Sequence, residues 1–228
     1  MSERVSDIQS SESGNDQESA RKLILVLGGA RGGKSALAER LASRIAGSRP
    51  VLYVATATAG DDEMHERIAL HQRRRPANWR TLEEPIDLPT VIPPAASGVA
   101  VVLIDCVTLW VSNLLFSLVG DAESLTPAQE AAALARVDLL VAAYRASEGT
   151  WIFVSNEVGL GLVPPYPLGR VYRDLLGRVN QRLAAAADQV LFTIAGLPID
   201  IKALSATLGP DYALPCLDDL DERDGDAN

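Results

Sequence analysis

Residues Gly28-Gly29-Ala30-Arg31-Gly32-Gly33-Lys34-Ser35 bring four glycines, an amine and a hydroxyl together within eight positions. These are the groups needed to hold a polyphosphate. Glycines keep side chains out of the way, so successive backbone N–H groups can turn inward at phosphate oxygens, and a helix starting at Lys34 adds the positive end of its dipole. Lys34 would reach the β- and γ-phosphates, and Ser35 would hold Mg²⁺. The apolar run before the loop and the helical pattern Ala36-Leu37-Ala38-Glu39 after it supply the strand-loop-helix setting that makes this a phosphate-binding P-loop and not a glycine-rich turn.

A second cluster contains both histidines of the chain, in Asp61-Asp62-Glu63-Met64-His65-Glu66-Arg67-Ile68-Ala69-Leu70-His71-Gln72-Arg73-Arg74-Arg75-Pro76. Acids at the start, arginines at the end and a closing proline predict a helix over Asp61–Arg74. On it Met64, Ile68 and His71 share a face, while His65 lies about 120° from His71. That spacing excludes the usual helical metal pair. His71 reads either as a core histidine completing an apolar stripe or as a nucleophile. A neutral imidazole, with an unperturbed pKa of about 6.5, can attack phosphorus and form a phosphoramidate when cations such as Arg73, Arg74 and Arg75 hold the phosphates.

The run Val99-Ala100-Val101-Val102-Leu103-Ile104-Asp105 ends a buried stretch in an acid, the Walker-B pattern that places a carboxylate beside the P-loop serine for Mg²⁺. Capping the next helix is the other reading of Asp105. The P-loop upstream favours metal. Asn156 and Glu157 follow another apolar run, placed either to meet substrate or water or to make a turn with Gly159 and Gly161.

To bring these residues together the chain needs strands whose ends converge. Apolar or β-branched runs predict strands at Leu23–Leu27, Val51–Ala55, Val99–Ile104, Trp151–Val154 and Val190–Ile194. Helical patterns predict Lys34–Ile45, Thr126–Arg145 and Gly169–Ala187 besides the histidine segment. Strands alternating with helices imply an α/β fold of P-loop NTPase type, RecA-like, with a mainly parallel sheet flanked by helices and ligand sites beyond the carboxyl ends of the strands.

At 228 residues, 47% apolar and 22% charged, the chain fits one such domain, expected over 22–208. Residues 1–21, polar, acidic and Ser-rich, and the acidic run 209–228 read as loose tails without the apolar core of a signal peptide. A net charge of −9 argues against a nucleic-acid partner, while a small anion in a local basic pocket is compatible. Cys106 and Cys216 are too few for a disulfide scaffold. No apolar stretch approaches the roughly 18 residues of a membrane span, so a soluble, cytoplasmic protein is expected.

The stretches ILVLGGARGGKS, VLYVATATAGDDEMHERIALHQRRRPANWRTLEEP, VVLIDCVTLWVSNLL and VSNEVGLGLVPPYPLGRVYRDLLGRVNQRLAAAADQV together closely resemble the bifunctional adenosylcobinamide kinase / adenosylcobinamide-phosphate guanylyltransferase family. The most specific part is RIxxHxxxRPxxWxTxE, here Arg67 through Glu83. The resemblance implies two reactions. The hydroxyl of adenosylcobinamide takes a γ-phosphoryl group from ATP or GTP, and GTP then gives GMP to that phosphate through a GMP-histidine, releasing pyrophosphate. It implies His71 as the nucleophile and His65 as a surface residue. Nucleotide contacts map to Gly28–Ser35, to Ala55, Thr56 and Ala57, to Gln72 and the three arginines, and to Glu83 and Asp105. It further implies a homo-oligomer, a trimer. Gly32 departs from the serine common in the family's GGARSGKS, a change expected to leave the backbone cradle intact. Two other functions fit the P-loop alone: a single-activity small-molecule kinase, and a nucleotide-gated RecA-like module. The histidine beside three arginines argues against the second.

Overall fold

The computed structural model describes residues 21–57, 76–120 and 122–209. In chain order the elements are β1 (Leu23–Gly28), α1 (Lys34–Ala46), β2 (Val51–Ala55), β3 (Trp79–Glu83), α2 (Leu88–Ala95), β4 (Val101–Asp105), α3 (Val107–Val119), α4 (Pro127–Ala146), β5 (Thr150–Val154), α5 (Pro167–Ala186), β6 (Gln189–Ile194), β7 (Leu197–Asp200) and α6 (Ile201–Ala206). The strands form one sheet in the order β3-β2-β4-β5-β1-β6-β7. All neighbours are parallel except the β6–β7 hairpin. This is the expected P-loop arrangement in its RecA-like form, with β5 inserted between the P-loop strand and the strand that ends in Asp105.

Successive side chains of a strand face opposite sides of a sheet, so continuous apolar runs signal burial on both. Leu23, Leu25 and Leu27 of β1, Val102 and Ile104 of β4, and Trp151 and Phe153 of β5 pack against α2 to α5. Ile24 and Val26, Val101 and Leu103, and Ile152 and Val154 face the other way, onto α1. Helix α1 meets them through Ala38, Ala42 and Ala46, a stripe of small residues four apart that lets the helix lie close. The same parity governs the site. Tyr53 and Asp105 lie on the α1 side because they are two positions from Val51 and Leu103.

The long strands and helices match the expectation within a few residues. β4 starts at Val101 and runs through Asp105, and α5 begins at Pro167, where a first-turn proline fits because its missing N–H would be unpaired in any case. The expected helix Asp61–Arg74 and both expected tails fall outside the described residues, apart from the few tail-boundary positions at 21 and 209. Strands β3 and β7 and helices α2, α3 and α6 carried no expectation. Strand β3 (WRTLE) lies at the sheet edge with three exposed residues, so it lacks the apolar run that marks interior strands.

Helix α4 opens on a full capping box: the Gln129 N–H donates to the Thr126 hydroxyl and the Thr126 N–H donates to Gln129 Oε1 at 2.9 Å. Thr126→Ala is expected to cost about 1 kcal/mol. Thermal unfolding should then show a melting point lower by about 2–4 °C, with catalytic rates unchanged.

Candidate active site

The P-loop leaves the sheet at Gly28, whose φ of +146° and crowded surroundings require glycine: a Cβ there would stand 2.4 Å from Thr193 Oγ1 and 2.5 Å from its carbonyl oxygen. The loop turns through Arg31 at φ 57° and Gly33 at φ 91°, with the Gly32 N–H donating to Gly29 O at 3.2 Å. At Gly32 a Cβ would stand 3.0 Å from Gly29 O and 3.3 Å from both Thr193 oxygens, so loop or hairpin would have to give by a few tenths of an ångström to admit one. No side chain caps α1. The first N–H groups of any helix have no partner within it, and here they stand beside the loop, where an anion would meet them.

Lys34 is only 8% exposed, and its ammonium donates to Gly29 O at 2.7 Å. Burial lowers its pKa, while the charges of Cys106 and Asp105 act to raise it. The site is thus a shielded cation beside a row of backbone N–H groups. A cavity of about 520 Å³ opens over it, lined by Ala30 through Ala36 and, from the neighbouring strands, by Asp105, Cys106, Val154 and Asn156.

Sheet register explains how these meet. Glu83, Ala55, Asp105 and Val154 stand side by side across β3, β2, β4 and β5, and Val154 is level with Val26 of β1, two residues before Gly28. At about 4.8 Å per strand, Asp105 is two strands from β1. The P-loop folds back over β5 to share its cavity. The Tyr53 hydroxyl donates to Asp105 Oδ2 at 3.1 Å, and the Tyr53 ring stacks on Trp79 with centroids 6.4 Å apart. Glu83 lies at the far end of this row, level with Ala55.

The other expected contacts divide. Gly28 and Gly29 shape the loop from behind, and Ala30 through Ser35 line the cavity. The Thr56 side chain is fully buried and committed to structure. Its hydroxyl donates to Cys106 O at 2.7 Å and accepts from Cys106 N at 2.9 Å, joining the ends of β2 and β4. Ala55 O accepts from Glu84 N, and Ala57 ends the described stretch. His71, Gln72, Arg73, Arg74 and Arg75, with His65, lie outside the described residues. Glu157 takes its turn reading: its Oε1 accepts from Gly159 N at 2.7 Å. Asn156 forms part of the cavity wall, its backbone N–H donating to Thr108 Oγ1 and its carbonyl accepting from Asn180.

Three residues of the site carried no expectation. Tyr53 lies in an apolar run, but a phenol in a buried strand needs a polar partner, and its parity with Ala55 directs it to the site. Asn113 donates to Thr56 O at 3.0 Å and to Pro85 O at 3.1 Å, tying the exit of β2 to the turn after β3. Cys106 faces the cavity as a free thiol.

The family model of cobinamide kinase / cobinamide phosphate guanyltransferase matches residues 24–201. The chain belongs to this family. It is 47% identical over 178 residues to the bifunctional adenosylcobalamin biosynthesis protein CobP of Pseudomonas aeruginosa, covering 78% of this chain and 96% of that one. It is 44% identical over 183 residues to the bifunctional adenosylcobalamin biosynthesis protein CobU of Escherichia coli, and equally to that of Salmonella typhimurium, covering 79% of this chain and 99% of each relative. Among solved structures, the flagellar accessory protein FlaH of Methanocaldococcus jannaschii covers 78% of this chain and 74% of its own, with a TM-score of 0.42 at 13% identity. The family-model match extends from β1 to the first residue of α6 and includes every described residue of the cavity.

Among the described residues no group of three or more acidic, histidine or cysteine side chains could hold a metal by itself. The oxygens of Ser35 and Asp105 on one cavity suit a hard cation that takes its remaining ligands from phosphates and water.

Burial, and then the nearby Asp105 carboxylate, push the Cys106 thiol above its ordinary pKa. At a given pH less of it is thiolate, the form that alkylates. With Cys216→Ser removing the other thiol, iodoacetamide should modify Cys106 more slowly than free cysteine at neutral and mildly alkaline pH, and its rate should go on rising with pH after that of free cysteine has levelled off. Mass spectrometry follows the reaction, and bound GTP should slow it further.

Proposed function

We propose that this chain phosphorylates the aminopropanol hydroxyl of adenosylcobinamide with ATP or GTP, and then transfers GMP from GTP to the resulting phosphate. The observation that carries this reading is a single cavity joining the P-loop, the buried ammonium of Lys34 and the Asp105 carboxylate in a chain of this family. Both reactions break a P–O bond of a nucleoside triphosphate, and both gain from the same fixed charges.

In the kinase step the corrinoid hydroxyl attacks the γ-phosphorus and the nucleoside diphosphate leaves. Lys34 and the N–H groups at the start of α1 hold the phosphate oxygens in line, so catalysis is positioning and charge stabilisation. Mg²⁺, held by Ser35 and Asp105, would neutralise charge developing on the phosphates. The Tyr53 hydroxyl orients the Asp105 carboxylate for that task.

In the second step a ring nitrogen of His71 attacks the α-phosphorus of GTP, pyrophosphate leaves, and His71 carries GMP as a phosphoramidate. An oxygen of adenosylcobinamide phosphate then attacks that phosphorus, the P–N bond breaks, and adenosylcobinamide-GDP is released. Gln72, Arg73, Arg74 and Arg75 would hold the phosphates during the exchange, with Ala55, Thr56, Ala57 and Glu83 as further nucleotide contacts. The match of Arg67 through Glu83 to the family pattern supports His71 in this role. The enzyme works in the cytoplasm as a homo-oligomer, a trimer, without nucleic acid.

GTP labelled at the α-phosphate tests the covalent step. An acid-labile, base-stable label on the protein that His71→Ala abolishes is the expected result. An unlabelled protein with intact phosphoryl transfer would point to a single-activity kinase. His71→Ala should retain much of the phosphorylation of adenosylcobinamide. Lys34→Ala should reduce both activities by about a hundredfold or more, the scale of losing one preorganised charge in a shielded site.

A further inference from the structure

The wall behind the P-loop is built by a residue far away in sequence. Thr193, on β6, is 2% exposed and stands level with Gly28 in the β1–β6 register. Its hydroxyl donates to Leu27 O at 3.1 Å, the carbonyl of the peptide unit that enters Gly28. On the other side of the strand exit, Gly28 O accepts from Glu157 N at 3.1 Å. The two peptide planes that flank Gly28 are thus pinned from opposite neighbours, and the turn into the loop starts from a fixed orientation.

Thr193 also limits how far the loop can settle. Its oxygens stand 2.4 and 2.5 Å from where a Cβ of Gly28 would be, and 3.3 Å from where a Cβ of Gly32 would be, so the start and the middle of the loop both lie against one residue, its side chain and its carbonyl. Past Thr193 the hairpin turns at Ala195 and Gly196, both at positive φ, and the Cα of Gly196 stands 3.4 Å from the Cβ position of Gly33. The β6–β7 hairpin therefore touches the loop where it leaves the sheet, at its middle and where α1 begins. The carbonyl that holds Lys34 belongs to Gly29, within that supported span.

We propose that Thr193 is a positioning residue for nucleotide binding, its hydroxyl setting the orientation and height of the P-loop from behind. It touches no phosphate and acts through Leu27, Gly28 and Gly32. The inference rests on the reading that this loop binds the triphosphate.

Affinity for a non-hydrolysable GTP analogue with Mg²⁺, measured by calorimetry, tests it in the full-length protein. Thr193→Val keeps the shape but replaces the donor with a larger methyl and should weaken binding by about tenfold, the scale of one buried hydrogen bond. Thr193→Ser keeps the donor and should stay within about threefold of the parent. Thr193→Ala, which removes the donor without adding bulk, should fall on the weak side and decides the matter if the valine variant does not fold. Melting points without nucleotide separate general destabilisation from loop placement. Serine and alanine variants that lose affinity equally, or a valine or alanine variant that binds like the parent, overturns the inference. Lys34→Ala runs alongside: if it binds the analogue normally, the loop is not the triphosphate site and both readings fall, whereas its loss beside unaffected Thr193 variants overturns this one alone.

Discussion

A largely buried lysine at the edge of an open cavity is the constraint around which this protein is arranged. Burial penalises the charged form, and the penalty is tolerable only when fixed dipoles and opposite charges surround it. Here Gly29 O accepts directly from Lys34, and Asp105 contributes its negative charge from across the cavity. Each of these needs the backbone to be elsewhere than an ordinary loop would put it. Gly29 must turn its carbonyl inward, β4 must end at the level of the loop, and β1 must exit beside a partner that requires glycine.

The sheet meets these demands through register and parity. Residues in one row across parallel strands are brought level without any contact between their side chains, and alternation selects which of them face α1. Tyr53, Asp105 and Val154 share that face because of their positions within their strands. Thr56, past the end of its strand, is spent on joining β2 to β4. Together with Asn113, it holds the point where the chain leaves β2 toward the stretch that carries His71. Asp105 and Val154, facing α1, border the cavity, and Thr56 and Asn113 brace the strand ends.

Parts of this were legible from residue order alone, because they depend on local chemistry. The P-loop, its strand and its helix are contiguous, and each position in Gly28–Ser35 has a local reason to be what it is. Asp105 was legible as a candidate because an acid ending a buried strand stands out, although only register against β2 and β5 places it on the cavity. Asn156 and Glu157 were ambiguous for the same reason, and the structure shows Glu157 accepting from the Gly159 N–H while Asn156 borders the cavity. Strand β3 was invisible because an edge strand buries little and needs no apolar run. Tyr53 was hidden within one.

Sequence by itself determined the fold class, the phosphate cradle and the family pattern of histidine, arginine, tryptophan and glutamate from Arg67 to Glu83, because contiguous motifs carry their own geometry. Only the tertiary structure decided that Tyr53 serves Asp105, that Thr56 faces inward, that Cys106 borders the cavity and that Thr193 lies behind the loop. Those relations join residues from about 50 to more than 160 positions apart. No local preference encodes such pairs. They follow from which strands become neighbours, and that is settled by burying apolar surface on both faces of the whole sheet.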